Sequence, residues 1–217
     1  MAWKRIKKMK LSDIIKNSVV CVVLVSVVNV GFTGNIDPYD VNSQYAYGEN
    51  IGWLNFEPSE DNGVHVSETQ LTGYVWAENI GWINLSPASY GGVLNDGGGN
   101  LYGYAWGENV GWINFDPNVP GDTNHYGVTI DAEGNFDGWA WGENIGWIHF
   151  QSTSPVAYKV IVCRVRFDDL ENFCDDWLQI GAGLPGDLSG NNDVNFVDYG
   201  IFADYWLGYC PDAWPLK

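Results

Sequence analysis

The chain has 217 residues, enough for one core of moderate size or two small ones, and sets 27 acidic against 10 basic residues for a formal net charge of −17. Its cations lie at the ends: six lysines and arginines fall within the first sixteen residues, and the next is Lys159. The body between has nothing to neutralise phosphate, which excludes nucleic acid and anionic membrane surfaces as partners and leaves divalent cations, neutral glycans or a basic protein, unless the acidity serves only solubility.

In chain order, Lys4, Arg5, Lys7, Lys8, Lys10 and Lys16 precede an apolar run from Ser18 to Val30 that is short for a membrane span. This is the pattern of a secretory signal over residues 1–34, cleaved between Val28 and Gly34 although no small-x-small site fixes the point; an uncleaved anchor is the alternative. The expected location is secreted or cell surface. Removal of the segment leaves four basic residues against 26 acidic ones, a net of −22.

Residues 35–152 hold a fourfold repeat, clearest as Tyr-Ala-Trp-Gly-Glu-Asn-Val-Gly-Trp at 104 to 112. Its closing tryptophans Trp53, Trp82, Trp112 and Trp147 recur 29, 30 and 35 residues apart, the self-similarity of a repeat architecture. Aromatic runs on either side of a short Gly-Glu-Asn segment predict a hairpin in each copy. The turn falls at Glu-Asn, with Asn50, Asn79, Asn109 and Asn144 suited to positive φ, while Gly52, Gly81, Gly111 and Gly146 make room for a facing ring. A further apolar strand precedes the later hairpins at Gly63–Val66, Tyr90–Leu94 and Tyr126–Ile130; the first copy lacks one unless 36–41 supplies it. The predicted fold is mainly β: antiparallel meander repeats in a propeller-, prism- or solenoid-like arrangement.

A linker is expected at 153–157. Beyond it, in 158–217, a second repeat of period 29 appears: Val165, Phe167, Leu170, Phe173, Trp177 and Leu178 match Val194, Phe196, Tyr199, Phe202, Trp206 and Leu207. Spacings of three and four predict two amphipathic helices that bury their faces on one another. Before the second helix, Asp187 to Asp198 forms a twelve-residue loop with oxygen-bearing side chains at Asp187, Ser189, Asn191, Asp193, Asn195 and Asp198. That spacing suits calcium: Asp187, Ser189 and Asn191 ligate directly, Asp193 through its carbonyl, Asn195 through water and Asp198 from the helix start. Asn192 stands where such loops turn on glycine, and Val194 ties the loop to the core. A metal-free helix-capping loop is the alternative.

These residues resemble the type I dockerin module, a duplicated loop and helix with Asp-x-Asn-x-Asp-Gly-x-Val-Asn-x-x-Asp in its loop. The resemblance covers about a quarter of the chain, Lys159 to Cys210, and is strongest from Asp187 to Leu207. It implies a small two-helix unit folded around calcium that docks onto a cohesin-like protein, the arrangement that often delivers polysaccharide-degrading enzymes or binding modules to a cell-surface assembly. Two departures stand out. Tyr158 to Cys163 occupies the place of the first loop, so one calcium site is expected, and Phe196 and Val197 replace the small hydroxyl residues that contact cohesin.

Antiparallel packing of the helices brings Cys163 beside Cys210 and predicts a disulfide there, with Cys174 free and buried on the first helix.

No catalytic residues are expected. There is no Gly-x-Ser-x-Gly elbow, and His65, His125 and His149 occur singly. Glu49, Glu78, Glu108 and Glu143 occupy equivalent turns, so none is distinguished as a glycosidase acid; solvated turn residues are the default, and at best they form a row or ring of carboxylates that attracts cations. The four repeat tryptophans, with Tyr47, Trp76, Trp106 and Trp141, either fill a core poor in aliphatic residues or present stacking faces to sugar rings; the core reading is the simpler, because large rings bury most of their area. The expected function is that of a secreted, non-catalytic attachment or scaffolding protein, its tail docking to a partner and its repeats contacting glycan or protein. The alternatives are a self-assembling surface-layer or filament subunit, and an accessory component of an extracellular polysaccharide-degrading system.

Overall fold

The computed structural model describes residues 34–58, 63–117, 124–211 and 214–216. All of them fall within one unit of the chain, 32–217. Apart from Gly34, the expected signal segment lies outside the described residues.

In the first copy β1 (Tyr45–Gly48) turns into β2 (Gly52–Asn55). The second holds β3 (His65–Val66), β4 (Leu71–Thr72), β5 (Tyr74–Ala77) and β6 (Gly81–Asn84); the third β7 (Val93–Asn95), β8 (Leu101–Gly107) and β9 (Gly111–Asn114); the fourth β10 (Thr129–Ile130), β11 (Phe136–Asp137), β12 (Trp139–Gly142) and β13 (Gly146–His149). At each hairpin tip the N–H of the branched residue donates back across the turn, as from Val110 to Gly107 at 3.2 Å. The left-handed residue is the glycine that follows, with φ of 75°, 82°, 81° and 78° at Gly52, Gly81, Gly111 and Gly146. The expectation that asparagine takes the positive φ is therefore corrected: glycine does so without the Cβ penalty, and the asparagine side chain is free for another contact.

That contact joins the copies. Asn79 Nδ2 donates to the Ile51 carbonyl at 3.2 Å, Asn109 to Ile80 at 2.9 Å, Asn144 to Val110 at 3.0 Å, and Asn50 to Ile145 at 3.0 Å. Each turn is tied to the one before it, and the first is tied to the fourth.

The strands close in the same circle. β2 pairs with β5, β6 with β8, β9 with β12, and β13 with β1, all antiparallel. The result is an eight-stranded barrel rather than a propeller, prism or solenoid. The reason is that each hairpin offers its backbone edges to its neighbours, and closure leaves none exposed.

Alternation decides what fills the barrel. Ala46, Val75, Ala105 and Ala140 face inward opposite Leu54, Ile83, Ile113 and Ile148, with Phe56, Leu85, Phe115 and Phe150 in the next layer, all buried. One residue per copy contributes to each layer. The void left among them is about 10 Å³, too small for any ligand. The repeat tryptophans occupy the opposite face of the same strands, so the expectation that they fill the core is overturned.

Below the barrel, β3 pairs with β4, β7 with the start of β8, and β10 with β11. Bridges Gln70 to Leu94, Asn100 to Thr129 and Asn135 to Ile161 link these pairs. The outer strand missing from the first copy comes from the far end of the repeats: Val160 pairs with Gln44 and Val162 with Ile36, and both valines are buried in the barrel core. The stretch expected as a linker, 153–157, joins β14 (Gln151–Ser152) to β15 (Tyr158–Lys159), which pair with each other. The segment from Tyr158 to Val162 thus belongs to the β body.

In the tail, α1 (Phe167–Asp175) and α2 (Phe196–Asp204) stack Phe173 on Phe202 at 5.2 Å. Val165, Val194, Trp214 and Leu216 complete this second core. Cys163 and Cys210 form a disulfide. Cys174 is free but exposed, not buried, because the buried stripe of α1 runs through Asp169 and Phe173. Buried Asn35 fastens tail to barrel: its Oδ1 accepts the Val66 N–H at 2.8 Å, while its Nδ2 donates to the carbonyls of Val66 at 2.8 Å and Cys210 at 3.0 Å. Tyr209 reaches from the tail into the barrel core, where its hydroxyl accepts from Asn95 at 3.1 Å.

The glycine between the lower and upper halves of each long strand provides a test. At Gly103, φ is 91° and a Cβ would stand 2.3 Å from the Gly92 carbonyl oxygen. Gly103→Ala is expected to lower unfolding free energy by at least about 2 kcal/mol in urea melts, whereas Gly91→Ala, with φ of 78° and open space around it, costs about 1 kcal/mol. Equal losses would contradict this account of the bend.

Candidate functional site

Since the barrel has no room inside, its outer wall is where a ligand can bind. On that wall each closing tryptophan sits edge-on between two aromatics of the preceding strand. Trp53 meets Tyr47 at 5.0 Å and Tyr45 at 6.3 Å; Trp82 meets Trp76 at 4.9 Å and Tyr74 at 6.3 Å. Trp112 meets Trp106 at 4.6 Å and Tyr104 at 6.4 Å; Trp147 meets Trp141 at 4.8 Å and Trp139 at 6.2 Å. Such pairs contribute about 0.5–1.5 kcal/mol beyond area burial and hold the rings in fixed orientations.

Clefts form where neighbouring hairpins meet. Between the first and second, Tyr45, Trp53, Asn55, Trp76 and Glu78 line about 590 Å³ with Tyr158 at the side. Between the third and fourth, the equivalent Tyr104, Trp112, Asn114, Trp141 and Glu143 line about 630 Å³ with Tyr90 at the side. These are volumes typical of small-ligand sites. The register sets their composition, placing Asn55 opposite Trp76 and Asn114 opposite Trp141. Each asparagine Oδ1 accepts a backbone N–H two residues on, from Glu57 at 2.8 Å and Asp116 at 3.0 Å. That bond fixes the amide, and its NH₂ group is left without a partner among the described residues.

The other two seams differ. The second carries the same residue types, with Asn84 opposite Trp106, and there Trp82 is 44% exposed. The fourth is closed by its own side chains: His149 replaces the asparagine and Tyr47 the tryptophan. His149 lies flat on Trp139 at 3.9 Å and hydrogen-bonds with the Tyr158 hydroxyl at 3.1 Å. Burial holds the His149 pKa below its ordinary value against the opposing pull of Asp137, and burial with Tyr47 nearby raises that of Tyr158. Of the four singled-out tryptophans, Trp53 and Trp112 line clefts, Trp82 is the exposed one, and Trp147 is half-buried among Trp139, Trp141 and Tyr126. Sequence reasoning missed Asn55, Asn114, Tyr90 and Tyr158; the Gly-Trp-(Ile/Leu)-Asn ending shared by three copies was the available signal for the asparagines.

In the tail, the six oxygen-bearing residues fall on one loop. Asp187 accepts the N–H groups of Asn191 at 3.0 Å and Asn192 at 2.7 Å, and the Ser189 hydroxyl lies 3.4 Å away. Asn192 turns the chain at φ 65°. Asp198 is fully buried and accepts from Ser189 at 2.8 Å and Asn195 at 2.9 Å. Burial alone would raise its pKa, but these backbone N–H bonds and the Ser189 hydroxyl outweigh it and hold the carboxyl below the usual range. Asn191 accepts from Asp193, and Asn195 caps α2 by accepting from Val197. No three His, Cys, Asp or Glu residues converge as a metal cluster among the described residues. The loop's donors are mixed hard oxygens wrapped from Asp187 round to Asp198, a set whose chemistry fits calcium.

The first copy of this repeat shows what replaces a loop. Asp169, the counterpart of Asp198, accepts the Arg166 N–H at 2.8 Å and the Trp214 indole N–H at 2.8 Å. The chain before it is committed to the β body.

Of the remaining histidines, His125 pairs with Asp116 at 3.0 Å on the surface and His65 lies in β3. Comparison with known proteins gives no match to this chain, whether among protein-family models, curated proteins or solved structures.

The depressed His149 pKa yields a pH prediction. A histidine that favours its neutral form when folded contributes fully above its ordinary pKa of 6.5 and loses that contribution as pH falls from there through the folded value. His149→Asn, which restores the residue of the other three copies, is expected to flatten the fall in stability below pH 6.5 in denaturation series. Identical pH profiles for both proteins would contradict the assignment.

Proposed function

We propose that this is a secreted, non-catalytic attachment protein whose barrel binds glycan in the clefts between hairpins and whose calcium-stabilised tail docks to an extracellular partner. The observation that carries the reading is the recurrence of one cleft composition, two indoles with a tyrosine, an asparagine and a glutamate, at two symmetry-related seams. Indole faces stack on the apolar faces of sugars, and the asparagine NH₂ donates to a ring or hydroxyl oxygen. Nothing in the equivalent settings of Glu78 and Glu143 separates an acid from a base, as glycoside hydrolysis requires, and this supports binding over catalysis.

For the tail, the mixed oxygen set of Asp187, Ser189, Asn191, Asp193, Asn195 and Asp198 supports calcium as a structural ion. Bound there, calcium supplies charge compensation for the carboxylates and ties the loop to α2. Exposed Phe167, Phe196 and Val197 at the helix starts support a protein partner for the tail, a cohesin-like module by resemblance.

Two outcomes test the reading. In calorimetric titrations with neutral oligosaccharides, Trp53→Ala combined with Trp112→Ala is expected to weaken binding about tenfold or more, while Tyr199→Ala, at an exposed aromatic of the tail helix α2, leaves it unchanged. An equal loss from Tyr199→Ala would contradict the cleft assignment. In thermal melts of the full chain, calcium in place of chelator is expected to raise the midpoint by mass action, and Asp187→Ala to remove the response. A midpoint indifferent to calcium would end the calcium reading.

A further inference from the structure

Both clefts contain a carboxylate that the chain itself does not neutralise. Glu78 is held in place: its N–H donates to the Trp53 carbonyl at 2.9 Å, and its Oε2 lies over Gly52, where an added Cβ would come within 2.9 Å of it. Glu143 lines the other cleft together with Trp112, without the backbone bond and the close approach to glycine that hold Glu78. Neither has an ionic or hydrogen-bonded side-chain partner among the described residues, and no lysine or arginine occurs between Lys16 and Lys159. A ligand seated on the indoles shields this carboxylate from water. A neutral sugar would offer it hydroxyl donors but no compensating charge, an acidic sugar would repel it, and an ammonium group would compensate its charge while also lying near electron-rich indole faces.

We infer, building on the glycan-binding reading above, that the two clefts select amino sugars bearing a free ammonium group, with Glu78 and Glu143 as the specificity-determining residues. Trp53 and Trp76, or Trp112 and Trp141, hold the ring; Asn55 or Asn114 donates to an oxygen of the ligand; the glutamate receives the ammonium N–H. The repeated glutamates thereby gain a role in addition to that of turn residues.

The test is calorimetry of the full chain against three β-1,4-linked oligomers of equal length, built from glucosamine, N-acetylglucosamine or glucose, at a pH where the amine is charged. At low salt the glucosamine oligomer is expected to bind about tenfold more tightly than the other two, with the gap narrowing as salt is raised. Glu78→Gln with Glu143→Gln is expected to abolish the preference, so that the variant binds the glucosamine oligomer no more tightly than it binds the glucose oligomer. Both side chains are exposed, so folding of the variant can be checked independently by circular dichroism, and the salt series on the unaltered protein needs no variant. Equal binding of all three oligomers overturns the selectivity and leaves the glycan-binding reading standing. A preference that survives the double substitution overturns it as well, since attraction to the overall acidic chain would then account for the difference. If none of the three binds, the inference and the reading beneath it fall together.

Discussion

A circle of four hydrogen bonds, each from a turn asparagine to the backbone of the preceding turn, is the constraint on which the rest of the molecule depends. A hairpin of two four-residue strands cannot bury enough surface to be stable alone. Four of them, closed edge to edge, consume their exposed backbone and enclose one layered core. Closure also fixes which face of each strand turns inward. The small circumference accepts alanine, valine, leucine, isoleucine and phenylalanine in its layers and leaves the bulkier indoles to the outside, where the seams between copies become clefts.

The closure has a cost in symmetry, and the departures from it set which seams stay open. The first copy borrows its outer strand from Val160–Val162, so the seam between last and first copies is built from residues unlike those of the other three. His149 and Tyr158 fill that seam. The same borrowed strand leads directly to Cys163 and the tail, which Asn35 and Tyr209 then bind to the barrel. The clefts and the acidic loop are therefore carried on one compact unit.

Much of this was legible in the sequence. The aromatic runs mark the hairpins, the three-and-four spacing from Phe167 and Phe196 marks both helices, and the oxygen pattern from Asp187 marks the loop. The inward face was not legible, because the strands alternate aromatic with aliphatic residues and both are apolar; only the tightness of a closed barrel decides between Ala105 and Trp106. Closure itself depends on pairing between the first and fourth copies, which no local pattern encodes. The turn offered two residues tolerant of positive φ, Asn109 and Gly111, and the lower steric cost of glycine settled the choice. Cleft residues such as Asn55 drew no notice because their role exists only across a seam.

The central claim is that aliphatic residues line a closed interior while the aromatic belt is wet, and hydroxyl-radical footprinting read by mass spectrometry tests it most directly. The account predicts rapid oxidation of Trp76 and Trp82, slower modification of the half-buried Trp147, and protection of Leu54, Ile83, Ile113 and Ile148. Protected indoles together with labelled aliphatic positions would mean that the strands face the other way, and the clefts would not exist.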